Sequence, residues 1–242
     1  MEPRPLDVPK YLSVLPLFND LSPAELTHLA TGCTVRRLAR GDMVFRTGDR
    51  CEDFHVVILG QVKLMVLSPQ GQEKVVELIS PGQSFGEAIM FTGRPYIVSA
   101  QALGEVLLLT VSKKAVLDEI ARDYRFALRM LAGLSRRLHG LIHDVEAYAL
   151  HSGLQRVIGY LLRDQAVDDC PPGEVRTVSL PVSKATIASR LSLTPEYFSR
   201  VLHELESQGL IEVERRDIRI VDGPGLARFS TAVASGTANV RV

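Results

Sequence analysis

The chain has 242 residues, enough for one large domain or two modest ones with their own hydrophobic cores. Hydrophobic residues make up 46% of it and charged residues 23%, as is typical of soluble globular proteins. Lysine plus arginine and aspartate plus glutamate number 28 each, so the formal net charge is zero. This balance excludes a protein that coats nucleic acid through a large positive field, whereas a site-specific DNA-binding protein needs only a local basic surface.

The sequence carries no recognisable signal for export or membrane insertion. Residues 1–10 lack an apolar run behind a basic start, and no stretch approaches the ~20 apolar residues of a spanning helix. The cysteines, Cys33, Cys51 and Cys170, are dispersed and odd in number, which favours a reduced cytosolic protein over a disulfide framework. We therefore expect a cytoplasmic protein that does not associate with membranes.

Short apolar runs separated by turn signals extend from about residue 35 to residue 110. We predict strands at 56–59, 62–67, 75–79 and 106–111, because glycine-containing turn sequences such as Gly48-Asp49 and Pro81-Gly82 recur between the runs. This pattern predicts an antiparallel barrel or sandwich. Before it, a helix should begin after Ser22, where an N-cap, a first-turn proline and an acid follow one another.

The apolar period changes after Ser112. Steps of three and four residues alternate along an a/d seam of more than three heptads, formed by Tyr124, Ala127, Leu131, Leu134, Leu138, Leu141, Val145 and Tyr148. A long helix lying on its own domain would be one explanation. We favour a parallel helix pair across a two-fold axis, because the seam extends further than one small domain could cover. The side chains predicted to join two copies are Leu131, Leu134, Leu138, Leu141, Val145 and Tyr148.

Two capped helices follow between residues 183 and 205. Ser183 can cap the first helix, which ends near Leu191, and the turn leads to Thr194 as the cap of the second. Pro195 and Glu196 suit the first turn of that second helix. Two helices joined by a four-residue turn predict a helix-turn-helix whose second helix enters the major groove of DNA.

The second helix has an apolar stripe and a polar stripe. The polar stripe is Glu196, Ser199, Arg200 and His203, spaced i, i+3, i+4 and i+7. Arg200 can donate two hydrogen bonds to guanine O6 and N7, Glu196 can accept from a cytosine amine, and Ser199 can approach a base or its methyl group. An ordinary surface helix would show the same stripe in isolation, so the order of the neighbouring elements carries the DNA-binding prediction.

A hairpin is predicted after these helices. Residues 210–221 alternate as two strands around Arg215-Arg216-Asp217, which places two arginines at the tip of a wing, where they can contact phosphate. We add Lys184, at the beginning of the first helix, to the predicted DNA-binding residues. Double-stranded DNA is the predicted partner.

Along nearly its whole length the chain resembles the Crp/Fnr family of bacterial transcription regulators. The likeness rests on β-roll motifs at 41–45, 48–49, 59–63 and 81–87, on the heptad helix, and on the recognition helix at 194–200. It implies an α+β fold: an N-terminal antiparallel β-roll (cupin-like, of the cyclic-nucleotide-binding type) at 1–123, a dimerisation helix at 124–150, and a winged helix-turn-helix at 151–229. Residues 230–242 are small and polar, so we predict a flexible tail.

The resemblance also implies partners and a target. Glu196, Ser199 and Arg200 stand where Fnr-type members have their base-reading residues, which implies a palindrome of TTGAT-like half-sites bound by a homodimer. Pro195 replaces the arginine of the cAMP-receptor type. RNA polymerase is the further partner that the family implies.

The sequence of the predicted β-roll indicates whether a cyclic nucleotide can be the effector. In cAMP-binding members, an arginine after the Gly-Glu pair supplies the cationic fork for the cyclic phosphate. Here Gly86 and Glu87 are present, but the matching stretch, residues 95–98, has no arginine. We therefore expect no cyclic-nucleotide binding and weigh a structural role for Glu87 above ligand contact. The predicted effector pocket consists of Gly86, Glu87, Met90, Tyr96 and Leu131.

Within the family, residues 71–74, 87–91 and 191–200 look most like the Dnr branch, whose members respond to nitric oxide through haem and control denitrification genes. The haem histidines used or proposed in that branch correspond here to Leu15, Pro16 and Arg190. Haem would then need another ligand, for which His28 and His55 are the candidates, with a thiolate of Cys33 or Cys51 as a further alternative. An iron–sulfur cluster needs four closely spaced thiolates, which three dispersed cysteines cannot supply.

The sequence contains no catalytic motif, such as a nucleophile elbow or a phosphate-binding loop with lysine, so we expect no enzyme. Two alternatives remain open. One is a cyclic-nucleotide-binding regulatory protein of an enzyme or channel, and the other is a regulator controlled by oxidation of Cys33 or Cys51. The effector, the regulated genes and the direction of regulation are not specified by these patterns.

Overall fold

The computed structural model describes residues 6–15, 18, 21–162, 176–180 and 182–234. The helices of this part of the chain are α1 (Val8–Ser13), α2 (Pro23–Ala30), α3 (Glu87–Met90), α4 (Lys113–Arg122), α5 (Tyr124–Leu150), α6 (Gly153–Leu162), α7 (Lys184–Arg190), α8 (Pro195–Ser207) and α9 (Gly223–Ala234). Its strands are β1 (Cys33–Leu38), β2 (Met43–Phe45), β3 (Asp53–Leu59), β4 (Val62–Leu67), β5 (Glu73–Ile79), β6 (Ser84–Phe85), β7 (Ser99–Ala102), β8 (Val106–Ser112), β9 (Arg176–Ser179), β10 (Ile211–Glu214) and β11 (Asp217–Ile220).

The chain divides into two compact units, Met1–Gly140 and Leu141–Val242. The boundary falls inside α5, so the N-terminal part of this helix belongs to the first unit and its C-terminal end to the second. The sequence pattern instead treats 124–150 as a separate segment between two domains. That difference arises because each end of the helix packs against the unit nearest to it.

Two four-stranded antiparallel sheets form the first unit, which confirms the predicted β-roll. One sheet has the order β1-β8-β3-β6 and the other β2-β7-β4-β5. Apolar side chains of both sheets, including Phe54 and Leu108 of the first and Val62 of the second, are fully buried in one cluster. Gly60 closes the turn between β3 and β4, where a Cβ atom would lie 2.2 Å from the Glu105 carbonyl oxygen. No other residue fits there without moving the backbone.

The predicted start of a helix after Ser22 is confirmed by α2. Ser22 and Glu25 form a capping box at the start of α2: the Ser22 hydroxyl accepts from the Glu25 amide, and the Glu25 carboxylate accepts from the Ser22 amide at 2.6 Å. These contacts satisfy two amide donors that the first turn leaves without helical partners. The helix therefore begins where the sequence indicates.

The second unit combines α6–α9 with a three-stranded sheet of order β10-β11-β9. The buried faces of α6 and α8, through Leu154, Val157, Phe198 and Leu202, supply apolar side chains to its interior. β10 and β11 pair as an antiparallel hairpin, and β9 lies along the other edge of β11. The predicted winged helix-turn-helix is confirmed.

The C-terminal prediction needs correction. Residues 230–234, predicted as part of a flexible tail, form the last turns of α9, while 235–242 lie outside the described residues. Cys170 also lies outside them. Among the described helices, none has both the length and the apolar content required to cross a membrane.

Candidate DNA-binding interface and effector cavity

The two helices of the helix-turn-helix begin at the predicted caps. The Ser183 hydroxyl accepts from the Thr186 amide, and the Thr194 hydroxyl accepts from the Tyr197 amide, both at 3.2 Å. The turn between them passes through Ser192, whose φ of 56° is the left-handed conformation. Arg156 braces this turn from α6, because its Nη1 donates to the Leu191 carbonyl oxygen at 2.7 Å.

The recognition helix α8 separates its two stripes as predicted. Its apolar side is buried and consists of Phe198, Val201, Leu202 and Leu205. Its polar side chains, Glu196, Ser199, Arg200 and His203, are all exposed. These side chains are therefore accessible to the major groove of DNA while the second unit stays folded.

Local contacts already orient parts of this polar face. The Ser199 hydroxyl donates to the Pro195 carbonyl oxygen at 2.9 Å, so its oxygen remains available as an acceptor. The Arg200 guanidinium carbon lies 5.5 Å from the centre of the Tyr197 ring. The sequence stripe omits Tyr197, although its i, i+3 spacing from Arg200 is the signal that could have revealed it.

The wing presents its basic tip as predicted. Arg215 and Arg216 form the turn between β10 and β11, and both are exposed. The Arg216 carbonyl oxygen accepts from the Leu180 amide at 2.7 Å, which ties the wing to the segment after β9. Lys184 is half-buried as the first residue of α7. All these basic residues belong to the second unit, together with the recognition helix.

The predicted dimerisation residues fall into three environments. Leu131, Leu138, Leu141 and Val145 are exposed, by 58%, 59%, 41% and 65% respectively. Large apolar side chains that water reaches in this way cost free energy unless a partner covers them. Leu134, by contrast, is half-buried beside a cavity of the first unit.

Tyr148 has a partner within its own unit. Its hydroxyl donates to the Arg190 carbonyl oxygen at 2.7 Å, and Arg190 Nη1 donates back to that hydroxyl oxygen at 2.6 Å. Arg190 Nη2 also donates to the Asp144 carboxylate. The place of Tyr148 in the dimer seam stays a prediction, and these hydrogen bonds direct its hydroxyl toward the helix-turn-helix. Heptad spacing alone cannot reveal such a contact.

A cavity of about 390 Å³ lies between the roll and α5 within the first unit. Its apolar lining includes Leu15, Phe18, Val56, Met130 and Leu134. Its polar lining includes Glu77, Gln83, Ser84, Glu87, Arg136 and Arg137. A cavity of mixed lining and this volume is suited to a small polar ligand.

Arg137 is the central charged group of the cavity wall. Its Nη2 lies 2.5 Å from a Glu77 oxygen, while its Nη1 donates to the Ser84 carbonyl oxygen at 2.9 Å and to Glu87 Oε1 at 3.3 Å. Glu87 is only 7% exposed, and its second oxygen, Oε2, has no hydrogen-bond partner among the described residues. One buried acceptor is therefore available to a ligand that carries a donor.

This cavity overlaps the predicted effector pocket at one residue. Of the five predicted residues, Glu87 lines it, whereas Gly86, Met90, Tyr96 and Leu131 are not among the described lining residues. Met90 and Tyr96 are buried in the core of the roll, and Leu131 points to the exposed side of α5. Arg137 is absent from the predicted pocket, although a basic residue three positions after Leu134 on the same helix is the signal that could have revealed it.

Tyr96 has a structural role in the stretch that lacks the phosphate-binding arginine. Its ring stacks on Phe45 with centres 3.6 Å apart, and its hydroxyl donates to the Asp53 carbonyl oxygen at 2.9 Å. Burial raises its pKa well above the ordinary value. Residues 95–98 therefore contribute a core anchor to the roll.

Neither described cysteine has the environment of a reactive thiol. Burial raises the pKa of Cys33 to about 12, and burial also raises the pKa of Cys51, whose Sγ donates to carbonyl oxygens of Asp53 and Gly86. Thiolates are the reactive form of cysteine, so both side chains are held in the unreactive form at neutral pH. This argues against the thiol-redox alternative.

Of the two candidate haem histidines, His55 is enclosed in the core of the roll. His55 is 3% exposed, shares a hydrogen bond with the Thr110 hydroxyl at 3.0 Å and stacks against Phe45 and Phe85. Burial lowers its pKa to about 3. His28 lies 3.8 Å from the buried Glu119 carboxylate. The described part of the chain contains no cluster of three potential metal ligands.

Comparisons with known proteins match both units. Residues 35–123 match the cyclic nucleotide-binding domain family, and residues 155–229 match the Crp-like helix-turn-helix domain family. The Cyclic AMP receptor protein of Thermus thermophilus is 29% identical over 220 residues, which cover 90% of this chain and 98% of that protein.

Two solved structures also match this chain. FixK2 from Bradyrhizobium japonicum shares the fold, with a TM-score of 0.71 at 21% identity, covering 81% of this chain and 96% of that one. The sensor domain of the transcriptional regulator DNR from Pseudomonas aeruginosa is 38% identical, with a TM-score of 0.50, covering 55% of this chain and 90% of that one. With the roll, the long helix and the winged helix-turn-helix in place, these matches assign the chain to the Crp/Fnr family of transcription regulators.

Proposed function

We propose that this protein is a dimeric, effector-responsive regulator that reads a palindromic promoter site. The observation that carries the proposal is the face of α8 on which Glu196, Ser199, Arg200 and His203 are all exposed while the opposite face is buried. A helix presented in this way can enter the major groove.

Each exposed side chain has a role in the proposed complex. Arg200 reads a guanine through O6 and N7, Glu196 accepts from a cytosine amine, and Ser199 approaches the neighbouring base. His203, Lys184, Arg215 and Arg216 contact the phosphate backbone and fix the register of the helix. The likeness to Fnr-type members supports TTGAT-like half-sites and control of anaerobic or denitrification-type genes, with RNA polymerase as a further partner.

The dimer is proposed from the exposed apolar stripe of α5. Leu131, Leu138 and Val145 repeat every seven residues, the period with which two helices pack as a left-handed coil. A second copy of the same helix covers the stripe with an identical stripe, which is the symmetric solution for a homodimer. The two recognition helices then lie on one side of the dimer, about 34 Å apart.

Effector control is proposed at the cavity that Arg137 and Glu87 line. A ligand that bonds Glu87 Oε2 and competes for the Arg137 guanidinium would change how α5 packs against the roll. Such a ligand favours one arrangement of the long helices over another, which shifts the population toward the DNA-binding state. We propose a small polar ligand with a hydrogen-bond donor for this cavity.

Haem remains an alternative effector group. Protein haem iron is held by histidine, cysteine, methionine or tyrosine. Among the described lining residues, only Met130 belongs to this set, and no imidazole or thiolate lines the cavity. The described residues therefore do not fit a histidine-ligated haem at this place. An absorption spectrum of protein made with a haem precursor tests this directly, since a Soret band that shifts with nitric oxide would support the haem alternative.

The proposed function is tested by competition binding with the full chain. Arg200→Ala should cost ~1–3 kcal/mol at a matched TTGAT-type palindrome and should relax the preference for guanine at its position. Lys184→Ala is the control, because loss of a phosphate contact should weaken all sequences about equally. A wild-type protein that binds the matched palindrome no better than a sequence of the same length with both guanines replaced would overturn the proposal.

A further inference from the structure

Tyr197 connects the recognition face to the start of α6. Its ring is half-buried on α8, three residues before Arg200. The Arg200 guanidinium carbon lies 5.5 Å from the ring centre, within the range of a cation–π contact. Residues three apart are neighbours on a helix surface, so the contact needs no distortion of α8.

The ring also packs against the start of α6. A Cβ atom on Gly153 would lie 2.5 Å from Tyr197 Cε1 and 3.0 Å from Cζ, closer than packed atoms can approach. It would also lie 2.9 Å from Leu193 Cδ2 in the turn of the helix-turn-helix. Glycine at position 153 therefore allows the helix backbone to press directly on the tyrosine ring.

The start of α6 is itself fixed. The Ser152 hydroxyl accepts from the Gln155 amide at 3.3 Å, and the Gln155 side chain accepts from the Ser152 amide at 2.8 Å. Reciprocal capping of this kind holds the first turn of a helix in place. Because Leu154 and Val157 are buried, this first turn is also anchored in the core of the unit.

Arg200 has no competing partner among the described residues. No carboxylate lies within ion-pair distance of its guanidinium, although Glu196 is four positions before it, and no described hydrogen bond engages it. The ring of Tyr197 is therefore the described contact that restricts this long side chain, and because this contact uses none of the N–H donors in a hydrogen bond, they stay available.

We infer that Tyr197, held by Gly153, is a positioning residue that directs the Arg200 guanidinium toward its base before DNA binds. The ring restricts the arginine to orientations that project past the exposed face of α8. Ordering a flexible side chain in advance lowers the entropic cost of binding. The inference rests on the proposed function, because it requires Arg200 to read a base.

The test measures discrimination, the ratio of affinities of the full chain for a TTGAT palindrome and for the same palindrome with its guanines replaced by adenines. Tyr197→Leu should lower this ratio about two- to fivefold, the range of an exposed cation–π contact. Tyr197→Phe retains the ring and should keep the ratio of the wild type. In Tyr197→Phe, the affinity for non-specific DNA and the thermal unfolding temperature should equal those of the wild type. In Tyr197→Leu, a change in either quantity would report a general loss of structure.

A double variant separates positioning from mere folding. In an Arg200→Ala background, Tyr197→Leu should cause no further loss of discrimination, because the residue that it positions is absent. Gly153→Ala should lower discrimination more when Tyr197 is present than in the Tyr197→Leu background, where only the contact with Leu193 remains.

The failures are distinguishable. If Arg200→Ala leaves discrimination unchanged, Arg200 does not read a base. The proposed role of Arg200 and the positioning role of Tyr197 are then both overturned. If Arg200→Ala relaxes discrimination but Tyr197→Leu does not, only the positioning role is overturned. Equal losses from Tyr197→Leu with and without Arg200 would show a structural role and would also overturn it.

Discussion

Tyr148 and Arg190 exchange two hydrogen bonds: the tyrosine hydroxyl donates to the arginine carbonyl oxygen at 2.7 Å and accepts from the guanidinium at 2.6 Å. Asp144 accepts from the same guanidinium. These contacts join the C-terminal end of α5 to the last residue of α7, the first helix of the helix-turn-helix. A rotation of this end of α5 would therefore carry the DNA-binding elements of the second unit with it.

Removal of the Tyr148 hydroxyl should weaken this joint. Tyr148→Phe deletes both hydrogen bonds to Arg190, and we expect the free energy of unfolding of the second unit to fall by about 1–2 kcal/mol. Urea unfolding followed by circular dichroism measures the change. Tyr124→Phe is a matched control on the same helix, because Tyr124 is 72% exposed. Equal stability of the two variants would show that the joint contributes nothing.

The sequence pattern predicts the helix that carries Tyr148 but does not predict the contact between Tyr148 and Arg190. Heptad spacing predicts a helix at 124–150 correctly, because apolar periodicity follows from helix geometry alone. The same spacing assigns Tyr148 to the seam, yet its partner Arg190 is 42 residues away. Which side chain a tyrosine hydroxyl meets depends on tertiary packing, and no local period encodes it.

Charge on the exposed stripe of α5 should separate the proposed dimer. Leu138→Glu places a carboxylate where two copies would bury apolar surface, and an unpaired buried charge is strongly unfavourable. We expect a dimer for the wild type and a monomer for the variant in sedimentation velocity at micromolar concentration. His139→Glu, one residue away on another exposed face, should remain dimeric. A monomeric wild type would contradict the dimer proposal.

The charge cluster of the cavity should behave as a coupled unit. Arg137→Met leaves Glu77 and Glu87 without their shared cation, so we expect thermal unfolding of the first unit at a lower temperature, at a cost of about 1–3 kcal/mol. Adding Glu87→Gln to Arg137→Met removes one of the two carboxylates that have lost their cation.

The double variant should therefore recover part of the loss, which a double-mutant cycle measures as a coupling energy. Purely additive effects of the two substitutions would show that Arg137 and Glu87 do not interact in solution. The sequence motif at 81–87 identified Glu87, but its cation comes from α5, 50 residues later, so only the packed structure pairs them.

Acid should destabilise the roll through His55. Burial lowers its pKa to about 3 from an ordinary 6.5, so the unfolded chain binds a proton between these values and the folded chain does not. The stability from neutral His55 is therefore complete above pH 6.5 and is lost as the pH falls toward 3. In urea unfolding, the wild type should lose up to about 1.4 kcal/mol per pH unit more than His55→Gln across this window.

The same histidine shows what a sequence can and cannot identify. As one of six histidines it is a candidate haem ligand, because imidazole type alone is compatible with that role. The pairing of β3 with β8 and β6 brings Thr110 and Phe85 to it, although both are far from it in the sequence. Phe45 reaches it from β2 of the other sheet. By contrast, the caps Ser183 and Thr194 act on amides three residues later, and such local chemistry can be predicted from sequence alone.

The central claim is that two recognition helices contact successive major grooves, and the spacing of half-sites tests it most directly. The measurement is the affinity of the full chain for palindromes whose half-site centres lie about one helical turn apart, compared with palindromes carrying five extra base pairs between them. Five base pairs turn the second half-site to the opposite side of the duplex, so we expect affinity to fall toward that for a single half-site. Equal affinity for both spacings would contradict the claim.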